Sequence, residues 1–256
     1  MVRLITYNIE YCEGMSGKWY EYLKFWKTFM PPKNLDKKIV EKLKDYNPDI
    51  LALVEVDIGS IRAHKDEAKF FEHKLHMNSV VEHVKYPFEG ALKIFKYVPI
   101  LNKQANAIIA KNKLSDVKHH LLSNGTKKVV IEASVKVPEK VTMLLAHLAL
   151  GWGTRKKQMI ELTSIVKNID NPVILMGDFN TFHGEDEINA LLAETHLHHK
   201  FNMNDKSLTF TEPAFHPTKR LDYVLTSKEI EVQNYQVLDF HFSDHLPLMV
   251  DFIVKK

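Results

Sequence analysis

The chain has 256 residues, 45% apolar and 26% charged, with a formal net charge of +3. This is a globular balance with enough chain for a sizeable core; it excludes a disordered or fibrous protein, and the charge is too small to demand a nucleic-acid partner. A single cysteine, Cys12, excludes an internal disulfide, and no apolar run approaches the roughly 20 residues of a membrane span, so a cytoplasmic protein without transmembrane segments is expected.

Val2–Ile9 reads as a buried strand rather than a leader peptide. Leu35, Ile39, Leu43 and Tyr46 recur at helical spacing and predict a helix over Leu35–Tyr46, ended by Asn47-Pro48. Asp49–Val56 is a second apolar strand. His64–Met77 reads as a helix with Ala68, Phe71 and Leu75 on one face. Strands are predicted at Asn106–Ala110, Lys127–Val137 and Val141–Leu150. A helix follows over Thr154–Ile169, then a short buried strand at Pro172–Met176. Leu221–Leu225, Val232–Leu238 and Leu246–Val254 complete the strands. With no repeat, linker or low-complexity tract, residues 1–256 read as one domain. Strands that partly alternate with helices and partly follow one another imply mixed sheets with helices outside.

Short polar motifs sit where these apolar runs end. Thr6-Tyr7-Asn8-Ile9-Glu10 closes the first strand and Val54-Glu55-Val56-Asp57 the second. A carboxylate such as Glu55 at the end of an apolar strand is costly to bury unless a cation or donors meet it, although alone it reads equally well as a surface terminus. Asn8 offers a neutral amide oxygen, which suits Mg²⁺ or Mn²⁺ better than a soft metal. Gly177-Asp178-Phe179-Asn180 follows the strand Val173–Met176. Asp178 and Asn180, two apart, face one side in extended geometry, where one can deprotonate water and the other orient it; the competing reading is an Asx turn. His147 ends Thr142–Ala146, and Ser243-Asp244-His245 precedes the last strand. An imidazole there needs a separate carboxylate to orient it, and Asp222, in Arg220-Leu221-Asp222-Tyr223, is the candidate. Carboxylates, an amide and imidazoles at strand ends form a hard-metal site beside proton-transfer groups. No zinc spacing, Walker loop or nucleophile elbow competes with it. Basic clusters such as Arg155-Lys156-Lys157 and Lys127-Lys128 read as solvated faces.

In this order the motifs resemble the endonuclease/exonuclease/phosphatase superfamily, which includes deoxyribonuclease I, exonuclease III, neutral sphingomyelinases and inositol polyphosphate 5-phosphatases. The likeness runs from Leu4 to Phe252. It implies an α/β (α+β) fold, a four-layer α/β/β/α sandwich of two packed mixed sheets flanked by helices. It also implies Mg²⁺ (or Mn²⁺) near Asn8 and Glu55 with Asp244 close by. Asp178 and Asn180 match the family pair for water activation and phosphate orientation. His245 matches the histidine on the scissile phosphate, and Asp222 its carboxylate partner. His147 matches a second histidine of the deoxyribonuclease I and sphingomyelinase branches, one that exonuclease III-like abasic-site enzymes do not carry at a comparable Ala-His-Leu strand end. Thr209-Phe210 with Pro217–Tyr223, and Val56–Arg62, look like bacterial and archaeal general phosphodiesterases. In that likeness Arg62 reaches a phosphate, and Asn106 matches a central-strand asparagine although Ala105 stands where the family often has glycine.

The expected function is therefore a metal-dependent phosphoesterase, foremost a phosphodiesterase acting by in-line attack of water. The alternatives are a nuclease on DNA or RNA and an inactive binding module on the same scaffold. The substrate is a phosphate ester, either nucleic acid or a phospholipid-like molecule, and the protein is expected to be a monomer. One segment stands apart: residues 12–32 hold Trp19, Tyr20, Tyr22, Leu23, Phe25, Trp26, Phe29 and Met30, largely at helical spacing. This insertion reads as a lid or wall for an apolar substrate group, an interfacial helix, a surface that stacks bases, or simply an extra packed helix.

Overall fold

The computed structural model describes residues 1–21, 23, 31–86, 96–199 and 206–255. Its elements in chain order are β1 (Val2–Asn8), α1 (Leu35–Tyr46), β2 (Ile50–Asp57), α2 (Glu67–Lys74), β3 (Ser79–Val84), β4 (Gln104–Ala110), β5 (Leu114–Leu121), β6 (Val129–Val137), β7 (Glu139–His147), α3 (Trp152–Lys167), β8 (Val173–Asp178), α4 (Asn189–Thr195), β9 (Asp222–Thr226), β10 (Ile230–Val237) and β11 (Leu248–Val254). One sheet runs β10-β11-β1-β2-β4-β3 and the other β5-β6-β7-β8-β9. Each mixes parallel and antiparallel pairs: β1 with β2 and β7 with β8 are parallel, whereas β1 with β11 and β8 with β9 are antiparallel.

Period-two alternation splits every central strand between two cores. Leu4, Ile50, Ala52 and Val54 of the first sheet meet Ile131, Met143, Leu145, Ile174 and Met176 of the second in the layer between the sheets. Their sequence neighbours Ile5, Tyr7, Leu51 and Leu53 turn outward onto Ile39, Leu43, Ala68 and Phe71 of α1 and α2. On the far side Leu144, Ala146, Leu175 and Leu225 carry Met159, Leu162 and Val166 of α3. The result is the expected four-layer sandwich. Strands buried on both faces read as continuous apolar runs, which is why they were legible.

The boundaries moved where caps decide them. α2 starts at Glu67, not His64, because the Asp66 carboxylate accepts the Lys69 amide proton at 3.1 Å. α1 ends as expected, with Asn47 in the left-handed region at φ 47°. The sequence reading missed β3, half-buried along its whole length, and the mostly exposed edge strand β5. In the aromatic insertion, Trp19–Glu21 forms a 3-10 turn with Trp19, Tyr20 and Leu23 exposed, while Tyr22, Phe25, Trp26, Phe29 and Met30 lie outside the described residues. Among the described residues no helix is long and apolar enough to cross a membrane.

Candidate active site

Strand register assembles the site. In β7–β8 pairing His147 lies opposite Asp178, and in β8–β9 pairing Asp178 lies opposite Asp222. Three motifs distant in sequence thus sit on adjacent strands at one level. Gly177 aims the central one: its φ is +126°, and a Cβ there would stand 2.0 Å from the Ala146 carbonyl oxygen. Across the gap Asn8 continues the inward face of β1 after Leu4 and donates its side-chain N–H to Asp178 Oδ2 at 3.1 Å, tying the two sheets together.

Glu55 reaches the site through a break in its strand. The β2–β4 register shifts between Leu53 and Val56, and Glu55 takes φ 59°. Unbroken alternation would send Glu55 outward with Leu51 and Leu53; the bulge turns it inward, and the Asn106 amide oxygen accepts its backbone N–H at 3.1 Å. After β1 the chain makes a left-handed turn through Glu10, Tyr11 and Cys12 at φ 47°, 49° and 57°. Such a run in residues with side chains is strained. It brings the Glu10 carboxylate back, where it accepts the Met15 amide proton, and the Tyr11 hydroxyl to 3.3 Å from Glu55.

His245 Nδ1 is 2.7 Å from Asp222 Oδ2 and its Nε2 points at Asp178 Oδ2, 3.9 Å away. His147 Nε2 is 3.5 Å from that same oxygen. Burial opposes charge on His245, but Asp222, Asp178 and Asp244 outweigh it and raise the ring well above its usual value. Burial, reinforced by Lys127, Lys85 and His245, depresses His147 well below its own and keeps it neutral. Asp178 is raised by burial against the pull of His245. Burial pushes Glu55 up to about 7 despite Lys127. Burial, then Asp244, Glu13 and Glu55, push Glu10 up to about 10.

A family model, the endonuclease/exonuclease/phosphatase family, matches residues 5–245. The chain belongs to this family. Its fold is shared by an endonuclease/exonuclease/phosphatase from Beutenbergia cavernae (17% identity, TM-score 0.72, covering 99% of this chain and 72% of that one). The human Nocturnin catalytic domain with bound sulfate is similar at 20% identity and TM-score 0.70, over 99% of this chain and 93% of that one. A mannosyl-6-phosphatase from Bacteroides thetaiotaomicron is similar at 14% identity and TM-score 0.68, over 99% and 100%. No curated protein matches the sequence.

Family membership sets the frame for a divalent ion, and the residues present suit one. Asn8, Glu10, Glu55 and Asp244 offer hard oxygen donors, and burial with neighbouring acids raises the Glu10 and Glu55 carboxyls. Asp178, Asp222 and His245 also have ligand atoms within 4.8 Å of one another. Within that cluster His245 Nδ1 already engages Asp222 Oδ2. Buried Asp222 Oδ1 and His147 Nδ1 have no hydrogen-bond partner among the described residues, the mark of a site that expects a ligand.

Asn8, Glu55, His147, Asp178, Asp222 and His245 all converge, and Asp244 acts on Glu10, Glu55 and His245. Asn180 sits at the edge of the cluster. It adopts φ 53° rather than extended geometry, its N–H closes an Asx turn onto Asp178 Oδ1 at 2.9 Å, and its amide donates to the Leu148 carbonyl at 2.8 Å. Asn106 braces the Glu55 bulge. Arg62 is tied elsewhere: its guanidinium is 1% exposed and pairs with Asp57 at 2.9 Å and Glu13 at 2.7 Å. The solvated-face reading of the two basic clusters holds for the exposed Lys156 and Lys157 but is corrected for Arg155 and Lys127. Arg155 is fully buried against Glu187, and Lys127 lies against both Glu55 and His147. Lys85, which no motif marked, is buried on Glu55 at 2.8 Å.

Proposed function

We propose that this chain is a Mg²⁺- or Mn²⁺-dependent phosphoesterase, foremost a phosphodiesterase, working as one catalytic domain over residues 1–256. The observation that carries the reading is the Asp222–His245–Asp178 relay, with Asp222 2.7 Å from one ring nitrogen and the other facing Asp178. Asp178 Oδ2, made more basic by burial, takes a proton from the attacking water. His245, held cationic by its carboxylates, stabilises charge that develops on the phosphoryl oxygens. His147 is kept neutral by burial, with Lys127 and Asp178 against its Nε2, and its Nδ1, without a hydrogen-bond partner among the described residues, is left for substrate. Asn8, Glu55 and Asp244, with Glu10 beside them, would hold the ion, which when bound polarises a phosphoryl oxygen and steadies the leaving oxygen.

The test is a metal-dependent screen over bis-p-nitrophenyl phosphate, p-nitrophenyl phosphate, plasmid and single-stranded DNA, RNA and a choline phospholipid. Turnover should be lost on chelation, and Asp178→Asn should cost at least about 10²-fold in kcat with the fold intact. Near-native activity in that variant would overturn the assignment, and cleavage of DNA or RNA would move the substrate class to nucleic acid.

A further inference from the structure

Two lysine Nζ atoms converge on one carboxylate oxygen. Lys85 Nζ is 2.8 Å and Lys127 Nζ 3.9 Å from Glu55 Oε1. They arrive from opposite sheets. Lys85 directly follows β3, where its N–H donates to the Gln104 carbonyl at 3.0 Å, and Lys127 lies in the connection from β5 to β6. Lys85 is 3% exposed, and its ammonium stands over the rings of Tyr11 and Tyr86, 4.6 and 5.1 Å from their centroids. Lys127 also donates to His147 Nε2, which is 3.5 Å from Asp178 Oδ2.

Burying an ammonium is costly unless an anion meets it, and burial with Lys127 nearby pushes the Lys85 amine well below its ordinary value. Here two share one carboxylate oxygen, and that carboxylate is also a donor of the candidate cation site. Glu55 cannot satisfy a divalent ion and both lysines at full strength. When it turns to a cation, the lysines need another anion at the same place, and a phosphoryl group set among Asp178, His147 and His245 supplies one. The chain departs from ordinary surface lysines in that both side chains are aimed inward by the backbone, from elements on opposite sides of the gap.

Resting on the phosphoesterase reading, we infer that Lys85 and Lys127 are a phosphate-binding pair that takes nonbridging oxygens of the substrate's phosphate. The consequence for substrate class, within the phosphodiesterase reading, is a diester that carries a further phosphate nearby rather than a plain diester.

The test is titration of inorganic phosphate, followed by ³¹P line broadening in Mg²⁺ buffer, with circular dichroism to verify folding. The proteins are the wild type, Lys127→Met, Lys127→Arg, Lys85→Met and the exposed-lysine control Lys156→Met. The wild type and Lys156→Met should bind phosphate saturably. Lys127→Met should bind at least about 10-fold more weakly, the loss of one charge-assisted hydrogen bond, and Lys127→Arg should recover most of it. Lys85 is the more buried, so Lys85→Met counts only if folded; Lys127 is partly accessible and keeps the test decisive. Folded Lys127→Met binding phosphate like the wild type, or no binding by the wild type at millimolar phosphate, would overturn the inference. Ester turnover measured on the same preparations separates the two readings. Lysine-dependent phosphate binding without turnover of any ester leaves the pair standing and removes the phosphoesterase; turnover with lysine-independent binding does the reverse.

Discussion

At the scale of single residues the site depends on where one proton and one Cβ can go. Asp222 holds His245 Nδ1 at 2.7 Å and is first among the carboxylates, with Asp178 and Asp244, that keep the ring cationic against burial. Because the folded-state value is raised, the charged ring persists as pH rises and is lost only well above the usual range. Asp222→Asn should therefore let His245 titrate at lower pH, readable in the ring-proton NMR signals, and should lower kcat roughly 10²-fold or more. Gly177→Ala is the second prediction. Its Cβ would fall 2.0 Å from the Ala146 oxygen at φ +126°, so urea unfolding should show a loss of about 2 kcal/mol or more. Both residues stand in motifs readable from sequence. The opposed charge states of His147 and His245 were not readable, because they come from lysines and carboxylates brought in by other strands.

At the scale of elements, α3 shows what periodicity tells and what it leaves out. Arg155, Gln158, Met159, Leu162, Thr163 and Val166 form one buried stripe. Arg155 falls on it, and that spacing was the available signal against a solvated Arg155-Lys156-Lys157 cluster. Its guanidinium donates to both Glu187 oxygens, at 2.6 and 2.8 Å, and to the carbonyls of Ala149 and Leu150, so it fixes the loop after β7 to the segment before α4. Arg155→Met would leave Glu187 buried without its partner and should cost about 3 kcal/mol or more in denaturant unfolding, with Glu187→Leu on top recovering part of it. The strands β3 and β5 escaped the sequence reading for a related reason. Edge strands lie half in water, β5 is exposed over most of its length, and neither carries the apolar run of the central strands.

At the scale of the molecule, a buried acid makes stability depend on pH. Glu67 of α2 accepts the Asp57 amide proton at 2.8 Å, and burial pushes it from 4.5 up to about 7. A carboxyl raised on folding binds more protons in the native state, so its contribution is present below the unfolded value and is lost as pH rises through the folded one. Between about pH 5 and about pH 8 the wild type should lose roughly 2–3 kcal/mol relative to Glu67→Gln, which stays neutral throughout. Urea unfolding of both proteins at the two pH values measures the difference, and a pH-independent gap would show that Glu67 does not change its protonation on folding.

The sequence by itself determined the layered class of the fold, the central strands and the motifs at their ends, because burial on both faces writes long apolar runs and a polar group closing such a run stands out. It also marked most of the candidate site, since Asn8, Glu55, His147, Asp178, Asp222, Asp244 and His245 each end or precede a strand. Only the tertiary structure decided that Glu55 turns inward, because alternation assigns it outward and a bulge at φ 59° reverses it. It also decided that Arg62 belongs to a buried ion pair with Asp57 and Glu13, and that Lys85 and Lys127 meet at Glu55. These contacts join residues far apart in the chain, and a lysine bound for the interior has the same local pattern as one bound for solvent.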